Sequence, residues 1–268
     1  MKTHIFAFVI AIADLPAYAA TVVSPSARTA SDGNGATGHP FSQIEAYYRW
    51  QQVFVASDFV ALGGPLLVSA ISLRPNGQAP WTYTLPNVQL SLSTTAGSPS
   101  SLNSTFAQNV GSDRTTVFSG QLTLQTANTG PSNGPKAFDI VIPFQTPFLY
   151  NPLAGNLLID ISNFSSGFIP LGDQLDSEFY NEGQAGSTAH VSYWDASSPS
   201  GIPVSGGLIV QFSGSVVPEP TTTALILFGT MLSLRRKHIR TNDRNANNAL
   251  RFKSSGSGIR HPREYPCR

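Results

Sequence analysis

Carboxylates that could do chemistry are concentrated at one place in this chain. Asp173, Asp176, Glu178 and Glu182 fall within ten consecutive positions. Two carboxylates held roughly 5–10 Å apart across a cleft can hydrolyse a glycoside, and oxygen-rich loops between strands suit Ca²⁺. Because glycines flank the stretch, we interpret it first as a solvated loop. The alternatives, in order, are a calcium site formed by Asp173, Asp176 and Glu178, and a catalytic carboxylate pair.

Histidine and cysteine chemistry has weaker support. The sequence contains no His-Glu-x-x-His motif, no Cys-x-x-Cys motif and no Walker loop. Between residues 20 and 217 the only histidines are His39 and His190, and His190 begins a predicted strand, where a surface or half-buried side chain is expected. The single cysteine is Cys267, so the main domain has no disulfide. We therefore predict no catalytic residues, no cofactor and no enzyme activity.

Aromatic side chains offer a second kind of site, because exposed aromatic rings can stack on sugars. The candidates are Trp81, Tyr83 and Trp194. Trp81 and Tyr83 follow a turn, and Trp194 directly follows Tyr193. Neighbouring residues of a strand point to opposite faces, so one of Tyr193 and Trp194 must face away from a simple core. The alternative interpretation is that these rings pack in the core or cover a sheet edge.

The C-terminal region has the order of a membrane sorting signal. It begins with Val217, Pro218, Glu219 and Pro220, and the uncharged residues 221–234 follow. A basic cluster comes next, consisting of Arg235, Arg236, Lys237 and Arg240. Fourteen helical residues would span about 21 Å, which also suits a buried helix, but the basic flank favours a transmembrane segment whose cluster stays in the cytoplasm.

The N-terminus reads as a secretory signal peptide. Met1-Lys2 precedes an apolar run over residues 5–13, then Pro16 and the small-x-small pair Ala17 and Ala19. This order predicts cleavage by signal peptidase after Ala19. The alternative is an ordinary N-terminal strand or helix. Together with the C-terminal basic cluster, the signal peptide places the region between them outside the cytoplasm.

Charge divides the chain in the same way. Residues 20–217 contain five basic and eleven acidic side chains, whereas residues 235–268 contain ten basic and two acidic ones. The acidic excess of the first region argues against nucleic-acid binding there. The basic, Asn-, Ser- and Gly-rich residues 241–268 are predicted to be a disordered tail.

The tripartite order of residues 217–240 resembles the PEP-CTERM sorting signal of Gram-negative bacteria. The resemblance implies that Pro218, Glu219 and Pro220 are recognised by an exosortase, a transpeptidase-like cysteine protease of the membrane. It also implies an association with exopolysaccharide and biofilm. Two features depart from the family pattern, because the apolar segment is short and the chain continues to Arg268.

Short alternating segments separated by Gly/Pro turns predict an all-β fold. In Val88-Gln89-Leu90-Ser91-Leu92-Ser93, for example, every second residue is apolar. Many such segments favour an antiparallel β-sandwich or jelly-roll-like domain. The predicted organisation is a signal peptide (1–19), a flexible leader (20–40), the β domain (41–215), the sorting signal (217–240, with its helix at 221–234) and the tail (241–268).

Three functions follow from these observations. The first is an exported, non-catalytic cell-surface or matrix protein, anchored in the inner membrane with its domain outside and then moved to the surface. Its expected partners are signal peptidase, exosortase and, as the resemblance implies, exopolysaccharide. The second is a carbohydrate-binding module that uses exposed aromatic rings. The third is a secreted hydrolase.

Overall fold

Strand-forming sequence occupies most of the chain that the structure describes. The computed structural model describes residues 17–41, 47–77, 79–165, 174–180 and 186–217. These residues form twelve strands: β1 Tyr18–Ser24, β2 Gly35–Thr37, β3 Tyr48–Phe54, β4 Leu66–Leu73, β5 Trp81–Thr95, β6 Thr115–Thr126, β7 Ile140–Tyr150, β8 Asn156–Asn163, β9 Leu175–Phe179, β10 Thr188–Tyr193, β11 Ile202–Leu208 and β12 Val210–Val216. Short 3₁₀ helices cover Ser26–Arg28, Ala56–Leu62 and Phe106–Gln108.

The strands form two antiparallel sheets. The smaller sheet has the order β1-β12-β4-β7, and the larger has the order β2-β9-β11-β10-β3-β8-β5-β6. All described strand pairs are antiparallel. The prediction of an all-β antiparallel domain is therefore confirmed.

One apolar core is built from both sheets. The alternating residues Val88, Leu90 and Leu92 of β5 enter it from the larger sheet, and Ile71 and Phe212 enter it from the smaller one. Burying a side chain of this size contributes roughly 1.5–3 kcal/mol. The period-2 pattern visible in the sequence therefore identifies the face of β5 that packs in the core.

Strand β8 is buried on both of its faces. Leu157, Ile159 and Ile161 contribute to the main core, while Leu158 belongs to a smaller cluster on the opposite face of the sheet. The segment around the third 3₁₀ helix supplies Phe106 to this second cluster. The larger sheet is thus covered on part of its outer face as well as on its inner face.

The N-terminal part of the domain differs from our prediction. Residues 20–40 were expected to form a flexible leader, but most of β1 and all of β2 lie there. Val22 and Val23 are buried, β1 pairs with β12, and β2 pairs with β9. The prediction of a flexible leader is therefore wrong. The composition of residues 20–40 is typical of loops, but two buried valines and backbone pairing with β12 and β9 fix the segment in the domain.

Several predicted segments lie outside the described residues. They are the first sixteen residues of the signal peptide, the apolar segment 221–234, the tail 241–268, and the basic cluster of Arg235, Arg236, Lys237 and Arg240. Within the part of the chain that is described, no helix combines the length and apolar character needed to cross a bilayer.

Candidate functional site

The two ends of the described domain lie side by side. Strand β1 pairs with β12, so that Tyr18 lies opposite Val216 and Ala20 lies opposite Gly214. The bond after Ala19, predicted to be cut by signal peptidase, is therefore next to the strand that leads into the predicted sorting signal. Sequence reasoning treated these two ends as independent features.

Strand β12 occupies an interior position of its sheet. It lies between β1 and β4, and Val216 is only 2% exposed. One residue later, Val217 donates its backbone N–H to the carbonyl of Pro65 at 2.8 Å, while its own side chain is 37% exposed. The chain therefore leaves the sheet at Val217, and Pro218, Glu219 and Pro220 lie outside the described residues.

The predicted signal-peptide junction lies at the exposed start of β1. Ala17 and Ala19 are both exposed, whereas Val22 is buried. Tyr18 donates its hydroxyl to the carbonyl of Leu62 at 2.8 Å. Cleavage after Ala19 would thus remove only exposed residues from β1 and would leave its buried half in the sheet.

The described part of the acidic stretch, residues 174–180, contains the buried strand β9 and is not a solvated loop. Asp176 and Glu178 belong to β9 and are buried. Arg74 donates from Nε to Oδ2 of Asp176 at 2.5 Å, and Arg28 donates from Nη2 to Oε1 of Glu178 at 2.7 Å. Two of the three carboxylates proposed as calcium ligands, Asp176 and Glu178, are therefore paired with arginines. Their companion Asp173 lies outside the described residues.

The same cluster fastens the N-terminal segment to the larger sheet. Arg74 also donates to the carbonyls of Arg28 at 3.1 Å and Ser31 at 2.5 Å, and the N–H of Gly33 donates to Asp176 at 3.0 Å. Burial raises the pKa of the Asp176 carboxyl, and the charge of Arg74 acts in the opposite direction. Among the described residues, no group of three side chains is arranged to hold a metal ion.

A second ion-pair cluster covers the outer face of the larger sheet. Arg49 donates from Nε and Nη2 to the two carboxylate oxygens of Asp160, at 3.3 and 3.0 Å. Gln51 donates to Asp160 at 3.0 Å, and Asn109 donates to Gln51 at 3.1 Å. Sequence reasoning missed this cluster, although the alternate polar residues Arg49 and Gln51 of β3 could have indicated it.

The two histidines pack against aromatic rings. His190 is buried, which corrects the expected surface or half-buried position, and it stacks on Trp50 with ring centroids 3.7 Å apart. Its Nδ1–H donates to the carbonyl of Gly206 at 2.9 Å. Burial lowers the pKa of His190 to about 4. His39 stacks on Tyr48 with centroids 4.6 Å apart, so it too has a place in the packed domain.

The three aromatic candidates have different surroundings. Trp81 is 7% exposed and belongs to the main core, where its ring lies 5.4 Å from that of the partly buried Tyr83. Trp194 follows β10 and is 70% exposed, next to Tyr193 at 46%. Of the three candidates, only Trp194 is exposed. Trp81 is removed from the predicted stacking residues.

One serine motif has the spacing of a nucleophile elbow and was missed by sequence reasoning. Residues 130–134 read Gly-Pro-Ser-Asn-Gly. In hydrolases that use this motif, the serine stands on a sharp turn between a strand and a helix. Here Ser132 is exposed in the loop between β6 and β7. The surrounding structure therefore differs from that of an elbow.

No protein-family model matches the chain, and no curated protein is significantly similar to it.

Proposed function

We propose that this chain is an exported, non-catalytic cell-surface or extracellular-matrix protein. In this proposal, residues 1–19 direct export and residues 217–240 form a PEP-CTERM-like sorting signal with a transmembrane segment at 221–234. The β domain, an antiparallel sandwich, is held outside the inner membrane until an exosortase processes the signal. The supporting observation is the pairing of Tyr18 with Val216.

In the proposed precursor, the signal peptide and the segment 221–234 lie in the same membrane, so the distance between the two ends of the domain matters. Directly opposed residues of an antiparallel pair have Cα atoms roughly 4.5–5.5 Å apart. Tyr18 and Val216 are such a pair, so the chain enters and leaves the folded domain at one place. A bilayer holding both flanking segments can therefore lie against this one side of the domain without distorting it.

The charges of the domain argue against a nucleic-acid-binding role. Residues 20–217 carry an excess of acidic side chains, which repel nucleic acid. Several of the carboxylates are tied to the fold. Asp160, Asp176 and Glu178 pair with arginines, and Asp139 accepts hydrogen bonds from the hydroxyl of Thr126 and the N–H of Ala127. The association with exopolysaccharide rests on the resemblance of the sorting signal.

The sorting proposal is tested with the tagged full-length chain in a Gram-negative host that has an exosortase gene, and in the same host with that gene deleted. We expect a smaller, surface-located product only when the enzyme is present. Alanine at Pro218, Glu219 and Pro220 should abolish this product. Alanine at the exposed loop residues 131–133 is the matched control and should leave it unchanged. An identical size and location in both hosts would refute the proposal.

A carbohydrate-binding module is the second candidate, and the 70% exposure of Trp194 favours it. A tryptophan ring open to solvent can stack on a sugar ring, whereas the buried Trp81 cannot. The test is binding of the purified full-length chain to arrayed polysaccharides. Trp194→Ala should lose binding, and Leu153→Ala, at another exposed apolar residue, should retain it. Equal binding by both variants would remove this candidate.

A further inference from the structure

The final strand of the domain and the start of the sorting motif are adjacent in the chain. Strand β12 ends at Val216, and the motif begins at Val217. We propose that the folded domain itself sets the N-terminal limit of processing, so that the cleaved bond lies C-terminal to Val217 and the whole of β12 stays with the exported domain. This inference rests on the proposed function.

Backbone pairing protects β12 on both sides over most of its length. All seven of its residues pair with β1 in the full chain, and the five pairs from Ala20 opposite Gly214 to Ser24 opposite Val210 remain after cleavage following Ala19. On its other side β12 pairs with β4, from Leu66 to Leu73. A processing enzyme would have to separate β12 from two neighbours at once to reach a bond between Val210 and Gly214, and from β4 to reach the bonds that follow, up to Val216.

Side-chain burial protects the same strand. Val210, Phe212 and Val216 are at most 2% exposed, and the ring of Phe212 contacts Phe54 and Phe59 edge-on, with centroids 5.1 and 5.3 Å apart. Opening the strand would therefore expose core apolar surface as well as unpaired backbone groups.

Proteases and transpeptidases commonly bind their substrates as extended segments through backbone hydrogen bonds. The expected reaction begins when the enzyme's cysteine thiolate attacks a peptide carbonyl carbon. The C–N bond breaks, and the C-terminal fragment leaves as an amine that takes up a proton. Water or an acceptor amine then displaces the thiolate, so that the domain is released with a new carboxylate or amide. The carbonyl of Val217 is the first one beyond β12.

The absence of a spacer should also slow processing. The N–H of Val217 is still hydrogen-bonded to Pro65, so the enzyme meets the motif directly against the folded domain. Six Gly/Ser residues inserted between Val217 and Pro218 would add up to about 20 Å of extended chain. We expect this insertion to raise the rate of exosortase-dependent processing several-fold. The same insertion between Ser132 and Asn133, in an exposed loop, is the control and should leave the rate unchanged.

The decisive measurement is the C-terminal residue of the processed protein, determined by mass spectrometry in hosts with and without the exosortase. We expect every enzyme-dependent product to contain Val217. An enzyme-dependent C-terminus at Val216 or earlier would overturn this inference while leaving the sorting proposal intact. A product that does not depend on the enzyme would refute both. A rate unaffected by the insertion would overturn the claim that the domain hinders access.

A second measurement tests the protection without the sorting enzyme. The purified full-length chain in detergent is digested briefly with a protease of broad specificity, and the fragments are identified by mass. Cleavage should occur after Val217 before it occurs anywhere in β12. Val22→Asp, which places a charge in the buried part of β1, should make β12 sensitive, and Thr21→Asp, at an exposed position of the same strand, should not. Early cleavage of wild-type β12 would contradict the inference.

Discussion

Arg74 and Asp176 form an ion pair in which each side chain is 1% exposed. The pair joins the end of β4 to β9, and through the carbonyls of Arg28 and Ser31 it also holds the N-terminal segment. Removing one partner of such a pair leaves a charge in a low-dielectric interior. This cluster therefore makes the folded domain dependent on its first residues.

Arg74→Met should lower the free energy of unfolding by roughly 3–5 kcal/mol, because Asp176 would remain buried without a charged partner. Arg114→Met is the matched control. The side chain of Arg114 is 44% exposed, and its Nη2 lies as far as 3.9 Å from Oδ2 of Asp160. The loss of such a weak surface pair should cost less than about 1 kcal/mol. Urea denaturation measures both values. The double variant Arg74→Met/Asp176→Leu should be more stable than Arg74→Met alone, and a further loss of stability would contradict this account of the pair.

Acid should destabilise the domain through His190. Burial lowers the pKa of His190 to about 4 in the folded protein, against 6.5 for an ordinary histidine. Between these values the unfolded chain binds a proton that the folded domain does not, so stability falls as the pH drops from 6.5 to 4. The loss should reach roughly 3 kcal/mol at pH 4.

The variant His190→Gln isolates this contribution, because the carboxylates titrate alike in both proteins. Denaturation at a series of pH values should give a shallower decline for the variant over this range. Parallel curves for the two proteins would show that another group carries the pH dependence.

Val22→Asp should destabilise the domain by several kcal/mol, because it places a charge in the buried half of β1. Thr21→Asp, at the exposed neighbouring position, should change the stability by no more than about 0.5 kcal/mol. Thermal unfolding of the two variants compares them directly. Equal melting temperatures would support the flexible leader that the sequence predicted.

Trp81 and Trp194 should respond in opposite ways to truncation. Trp81→Ala would leave a cavity in the main core and should cost roughly 3–5 kcal/mol. Trp194→Ala removes a ring that is 70% exposed and should change stability by no more than about 0.5 kcal/mol. Chemical denaturation distinguishes these outcomes, and a large loss for Trp194→Ala would indicate that its ring packs on the protein.

The residues that sequence reasoning placed correctly are those whose neighbours in the chain determine their environment. The alternation of Val88, Leu90 and Leu92 predicts a strand with one face in the core, and the structure has that strand. Their partners across the sheet lie far away in sequence, but the period of two is a local property.

The acidic stretch was misinterpreted because its environment is not local. Arg74 is 102 positions from Asp176, and Arg28 is 150 positions from Glu178. Nothing near either carboxylate in the sequence indicates that an arginine will be its neighbour. Trp81 and Trp194 were likewise indistinguishable, because the packing of the sheets decides which ring is covered.

The position of β12 also has a consequence for the order of folding. Val22 and Phe212, which pair across β1 and β12, are 190 positions apart in the chain. During synthesis β1 emerges before the other described strands, whereas β12, the strand that separates it from β4, emerges after them. Until then β1 and β4 each present an unpaired edge, and unpaired edges favour aggregation. Such long-range pairing slows folding, so a nascent chain that stops before Val210 should depend on chaperones, and the domain should close only after its synthesis is nearly complete.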